Sequence, residues 1–382
     1  MISKLVECME PQLVRRIYDL AKEYCGVTDL TLGDPDIPTP ECVKRAACEA
    51  IRENKTKYTA NAGITELREA IIRDVEKRTG LIYGIDEVTV TAGAMGALYL
   101  TSLALFDPGD EVVILEPHWP NYSNMVRMCG AEPRFVNFFD EDAQDMLGKN
   151  IERAITKKTK AVIVNSPSNP TGTVLPFEKL CEIADIAKEH GLYVLTDEVY
   201  RTIVFDNSFR SILEIPGMKE RTVLIDSFSK RFSMTGFRVG FVCAPQKIAM
   251  AVAMLQEHVN SCASMFAQYA AKTALEENEA LEREICGIFH SRCNAMVEEL
   301  RASGKLEVPP VSSTFYLFIG IKKTGLSSEE FAYRLLREKH IAVVPGNAFN
   351  KAGEGYIRIA CTLPEERLTE AAMGIVSFVE GL

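Results

Sequence analysis

Long apolar runs are missing from this 382-residue chain. No stretch reaches the about 18 consecutive apolar residues that a membrane-crossing helix needs, so no membrane partner is expected. The opening residues Met1 to Glu10 carry no signal-peptide pattern. Paired cysteines are missing as well. Eleven cysteines are scattered with no CxxC pair, an odd count in a long chain that fits free thiols in a reducing cytoplasm. Metal-ligand clusters are also lacking. His258 with Cys262 and His290 with Cys293 have helical spacing, but neither has a second pair nearby in sequence, so no metal is expected. Positive charge is the minority, 43 Lys and Arg against 53 Asp and Glu for a net charge of -10, which argues against a nucleic-acid partner held by phosphate contacts. Both GxGxxG and the Walker loop are absent, which removes the usual glycine fingerprints of nucleotide sites.

What is present is a soluble globular composition, 47% hydrophobic and 25% charged. Short apolar runs recur at Val88–Thr91, Glu111–Leu115, Ala161–Asn165, Leu192–Thr196, Thr222–Asp226 and Val239–Cys243. They are continuous rather than alternating, as expected of strands buried on both faces. Helical patterns lie between several of them, such as Phe177 to His190 stopped by Gly191. This alternation predicts an α/β domain with a mostly parallel sheet, the last two runs forming a hairpin-like exception. A long helical region is predicted from about Gln246 to Ser303. Runs at Phe315–Ile319 and Tyr356–Ala360, with a helix over Ser328–Lys339 between them, predict a smaller α+β domain. The Pro-rich stretch Gly33 to Pro40 reads as an extended crossing segment.

One motif stands out, Ser227-Phe-Ser-Lys230-Arg-Phe-Ser-Met-Thr-Gly-Phe-Arg238, directly after an apolar run. Burial and a second cation both lower a lysine's pKa and make its amine a better nucleophile, one able to form a Schiff base with an aldehyde cofactor. Ser227 and Arg238 are placed to hold an anionic group of such a cofactor. Thr91-Ala-Gly93-Ala94-Met95-Gly96 follows a strand and opens a helix over Ala97 to Leu105, where backbone N–H groups can meet an anion. Asn169 closes a strand end in Asn165-Ser-Pro-Ser-Asn169-Pro-Thr-Gly172, either as a plain turn or as a donor to a ligand. Asp197 ends another strand, where ligands of parallel sheets bind, although a helix cap is the blander reading. Trp119, the single tryptophan, either stacks on a planar ring or fills a core. Arg358 lies mid-strand, where a solvent-facing arginine is the default and a carboxylate clamp the sharper option.

With these motifs in order, the chain from about residue 15 onward resembles the fold-type I, pyridoxal-phosphate-dependent aminotransferases of class I/II, near the aspartate aminotransferases. The resemblance implies a three-layer α/β/α large domain over 41–280 and a smaller α+β domain over 281–382. Residues 1–40 would be an N-terminal segment packing with the small domain. It implies pyridoxal 5'-phosphate as cofactor, with Lys230 as the Schiff-base lysine and Asp197 paired with the ring nitrogen. Tyr200 and Asn169 would meet the ring's phenolic oxygen, and Trp119 would stack on the ring. Gly93, Ala94 and Met95 would cradle the phosphate beside Ser227 and Arg238, and Tyr58 would reach it from a second subunit, so a homodimer with shared sites is implied. Gly33 and Arg358 would take the substrate carboxylate, with Trp119 and Asn169 also facing the substrate. The implied activity is ping-pong transfer of the amino group of an L-amino acid to a 2-oxo acid, Lys230 moving the α-proton.

The chain departs from the family pattern at Ser312-Ser-Thr-Phe315-Tyr, and no second arginine for a distal carboxylate is evident; Arg15 and Arg16 are candidates only by proximity. A lyase, decarboxylase or cyclising synthase on the same scaffold is the alternative, since fold does not fix the reaction. A DNA-binding regulator is a third reading, disfavoured by the acidic charge and by the about 30 residues before Thr31.

Overall fold

A computed structural model describes residues 2–7, 12–206 and 209–382. Seven strands form the main sheet: β1 Val88–Thr91, β2 Glu111–Glu116, β3 Glu132–Asn137, β4 Thr159–Asn165, β5 Tyr193–Asp197, β6 Thr222–Ser227 and β7 Gly240–Cys243. Their order is β1-β7-β6-β5-β4-β2-β3. Only β7 runs antiparallel to its neighbours. The apolar runs are buried on both faces because helices cover both. Val112 and Ile114 pack with helices Gly93–Leu105 and Gln246–Val259, while Val113 and Leu115 pack with Phe177–Glu189 on the other side.

Residues beyond the sheet build a second core. Strands Tyr316–Gly320, Val344–Pro345 and Tyr356–Ala360 pair antiparallel, backed by helices Asn278–Leu300, Ser328–Lys339 and Glu365–Glu380. The start of the chain joins this core. Thr28–Asp29 pairs parallel with Ile341–Ala342, and Leu30 is fully buried there.

The helical region after Gln246 is three helices, not one. It breaks between Val259 and Met265, where Ser261 adopts φ 63, a left-handed conformation outside the helical range, and again near Glu277. Helix Gly93–Leu105 begins four residues earlier than the apolar pattern indicates. The edge strand β3, Glu-Pro-Arg-Phe-Val-Asn, was not among the predicted runs, because an edge strand is half-solvated and carries little apolar sequence.

Candidate active site

The carboxyl ends of β2, β4, β5 and β6 point the same way, and the chain leaving each one delivers a side chain to a common cavity of about 250 Å³. Trp119 and Tyr122 follow β2, Asn169 follows β4, Asp197 ends β5 with Tyr200 just beyond it, and Ser227 ends β6 with Lys230 just beyond it. This is the crevice where parallel sheets bind ligands, at the point where strand order reverses between β2 and β4. Gly33, Ala94, Met95, Arg238 and Arg358 complete the predicted set around the cavity. Gly93 stands directly behind Arg238. Tyr58 does not enter; it is 84% exposed on the loop between helices Glu41–Arg52 and Thr65–Thr79.

Lys230 sits on a four-residue helix, Phe228–Arg231, whose N-cap Ser227 accepts from the Ser229 N–H at 3.2 Å. Its Nζ donates to the Gly33 carbonyl at 2.5 Å. Burial is the main influence on the amine and pulls its pKa down to about 8; Asp34 opposes this, and Arg238 and Arg358 add to it. Asp197 is buried at the cavity floor, accepting from the Tyr122 hydroxyl at 2.7 Å and from the Val199 N–H. Burial pushes its carboxyl up to about 6, against both hydrogen bonds.

Arg358, expected by default to face solvent, is only 3% exposed. Strand Tyr356–Ala360 turns it into the cavity, between the rings of Tyr316 and Phe349 at 4.5 and 4.9 Å. It donates to Asn169 Oδ1 at 3.0 Å and to the Thr31 carbonyl, and its Nε has no protein partner.

The opposite wall is built for an anion. Helix Gly93–Leu105 has no side-chain cap, so its first N–H groups remain available. Arg238 adopts φ 54, a left-handed conformation uncommon for arginine, and anchors its guanidinium on the Thr235 carbonyl at 2.7 Å. Gly93, at φ 70, keeps this corner open; a Cβ there would stand 2.6 Å from the Arg238 guanidinium. A Cβ on Gly33 would overlap the Tyr316 hydroxyl at 1.8 Å. Among the described residues the cavity thus presents three cations, Lys230, Arg238 and Arg358, and one carboxylate, Asp197, none of whose hydrogen bonds there comes from a cation. That set fits a phosphorylated aldehyde with a basic ring nitrogen, together with a carboxylate substrate.

Sequence reasoning missed Tyr122, Thr31, Tyr316, Ser229, Thr235 and Val14, all of which line the cavity. Tyr122 lies three residues past Trp119 and Tyr316 beside Phe315, so proximity to quoted motifs was the available signal. Arg15 and Arg16 do not enter. Both are exposed on helix Leu13–Ala21, Arg15 paired with Asp19 at 3.3 Å, and their neighbour Val14 faces the cavity instead. His290 stacks on Phe205 at 4.6 Å, while Cys293 is buried in the second core.

Residues 26–375 match the family model described as aminotransferase class I and II. The aspartate aminotransferase of Pyrococcus abyssi is 38% identical over 97% of this chain and 96% of its own length. Aromatic-amino-acid aminotransferase 2 of Thermococcus litoralis is 37% identical over the same shares. Among solved structures, the aspartate aminotransferase of Thermotoga maritima superposes with a TM-score of 0.93 at 37% identity, covering 99% of this chain and all of that one. The strand ends, the lysine in the cavity and the matched length agree: this chain belongs to the class I and II aminotransferases, with their fold-type I architecture, and catalyses amino-group transfer.

Proposed function

We propose that the cavity holds pyridoxal 5'-phosphate, with Lys230 as its covalent anchor, and that it passes the amino group of an L-amino acid to a 2-oxo acid. The observation that carries this reading is the half-buried Lys230, which lines the cavity together with Asp197 and with an uncapped helix start beside Arg238. In the net reaction one C–N bond breaks and one forms, and the two carbon skeletons exchange amine for carbonyl. Bound pyridoxal phosphate supplies an aldehyde for the amine and a ring that withdraws electrons from the bonds at Cα.

The chain's own groups do the rest. Arg358 and the Gly33 backbone fix the α-carboxylate, and Arg358 Nε is the donor left for it. Ser227, Arg238 and the N–H groups of Gly93, Ala94 and Met95 hold the phosphate. Asp197, kept in place by Tyr122, offers its charge to the ring nitrogen. Trp119 covers the ring, and Asn169 and Tyr200 face its phenolic oxygen. Once free, Lys230 Nζ takes the Cα proton as general base and gives it back as general acid.

We place residues 41–280 in the cofactor-binding domain and 281–382 in the small one, with 1–40 attached to the latter. Tyr58, exposed on its own chain, serves the phosphate of a partner subunit in a homodimer. Every described cysteine is unpaired, which supports a cytoplasmic setting. No described helix is long and apolar enough to cross a membrane. The test is to load the purified protein with pyridoxal phosphate and assay amino transfer between a donor and a 2-oxo acid. Stoichiometric formation of the new amino acid and the new 2-oxo acid is expected; release of carbon dioxide or of an unsaturated product instead would overturn transamination.

A further inference from the structure

The relatives include enzymes named for aspartate and for aromatic amino acids, so family membership leaves the donor side chain open. The charge that this chain itself places in the cavity bears on it. Among the described residues its cations are Lys230, Arg238 and Arg358. Each has a task in the proposed reaction: the aldehyde, the phosphate and the α-carboxylate. None of this chain's cations is left for a second carboxylate on the substrate.

The remaining wall is apolar. Val14, Leu32 and Met95 line it, and Val14 packs against the buried cluster of Phe318, Val344 and Phe349. The two arginines next to Val14 point away from it: helix Leu13–Ala21 buries Ile17 and Ala21, leaving Arg15 and Arg16 on its exposed side. Arg15 is further occupied by Asp19 and by the ring of Tyr18 at 4.7 Å. The amides beside Met95 are engaged too. Gln12 donates to Asn121, and Asn121 donates to the Met95 sulfur at 3.3 Å. A further charge beside the cavity has the wrong sign. Asp34 accepts from Thr235 at 2.7 Å, close enough to Lys230 to act on its amine. A dicarboxylic donor would therefore bury an unpaired carboxylate against apolar walls and near an aspartate, an arrangement that folded proteins avoid.

We propose that the donor is a neutral L-amino acid with an apolar side chain, and that aspartate and glutamate are poor donors; this rests on the aminotransferase reading of the same cavity. An apolar side chain entering between Val14, Leu32 and Met95 gains contact area and leaves no polar group unpaired.

The half-reaction tests the proposal without an acceptor that would confuse it. The pyridoxal-phosphate-loaded protein is mixed with L-leucine, L-methionine or L-phenylalanine, and separately with L-aspartate or L-glutamate, and the change in cofactor absorption is followed. The best neutral donor should exceed both acidic ones by about 100-fold in kcat/KM. An acidic donor within about tenfold of it would overturn the proposal. If no donor changes the absorption, the aminotransferase reading itself fails, and the specificity falls with it. Binding gives a second readout: by calorimetry, 3-phenylpropanoate should bind the loaded protein about tenfold or more tightly than succinate, and the reverse order would count against an apolar wall. Val14→Arg, which adds the missing cation, should raise kcat/KM for aspartate about tenfold or more; no rise would show that Val14 does not border the side-chain space.

Discussion

Lys230 owes its reactivity to three neighbours and to burial, and each can be varied. Its pKa of about 8 lies below the ordinary 10.5, so between those values the folded chain without cofactor binds fewer protons than the unfolded chain. Stability from this group therefore rises as pH climbs through that window and is smallest below about 8. Asp34 is the one neighbour that raises the amine's pKa. Asp34→Asn should move the midpoint of Lys230 below that of the parent protein, measured from the pH dependence of its acylation rate in the cofactor-free protein; an unchanged midpoint would count against the Asp34 contact. Lys230→Ala should lose covalent cofactor attachment and about 10,000-fold in turnover, checked by cofactor absorption and by product formation. Asp197→Asn removes the charge offered to the ring nitrogen and should cost about 100- to 1000-fold in kcat with the fold retained.

At the scale of elements, the turn that bears Lys230 is fastened from behind. Arg231 is 2% exposed; it donates to both oxygens of Asp74, at 2.8 and 2.6 Å, and to Glu282 at 2.5 Å, while Arg78 bridges the same two acids. This cluster joins helices Thr65–Thr79 and Asn278–Leu300 to the lysine turn. The arginines hold the Asp74 carboxyl well below its usual range against the penalty of burial. Its stabilising contribution is thus present above about pH 4 and fades only in stronger acid. Arg231→Met removes the buried cation from this cluster, leaving Arg78 still bridging the two acids, and should cost about 3–5 kcal/mol, read as a lower urea midpoint. Gly93→Ala acts on the neighbouring element, placing a Cβ against Arg238 at a positive φ, and should weaken pyridoxal phosphate far more than unphosphorylated pyridoxal in equilibrium titration.

Elements were legible in the sequence wherever burial on both faces removed alternation, as in β4 and β6, and the residues closing those strands were readable as site candidates for the same reason. Arg358 was readable as a carboxylate clamp only as the less usual option, because an arginine inside an alternating strand reads as solvent-facing until the rings of Tyr316 and Phe349 are seen on either side of it. Val14 and the outward turn of Arg15 and Arg16 were hidden for a different reason: which face of a short helix meets a cavity depends on its packing against Phe318, Val344 and Phe349, far away in sequence.

For the whole molecule, the placement of Tyr58 makes one prediction that a monomer could not meet. If Tyr58 serves the other subunit's phosphate, Lys230→Ala and Tyr58→Ala chains should rescue one another: their heterodimer holds one site built from intact residues. Random mixing of equal amounts after dissociation should restore about a quarter of the parent activity, checked by assay before and after mixing. No recovery, with heterodimers shown to form, would sink the shared site. Arg358 carries a last consequence at this scale. Its guanidinium, on a strand of the second core, already grips Asn169 beyond the end of a main-sheet strand and Thr31 just past the Thr28–Asp29 strand. Freezing a loose arginine would forfeit about 2 kcal/mol of rotamer entropy on binding. Here folding has met that loss beforehand, so a substrate carboxylate encounters a rigid receptor, and each donor's affinity can report the fit of its side chain instead of the ordering of the clamp.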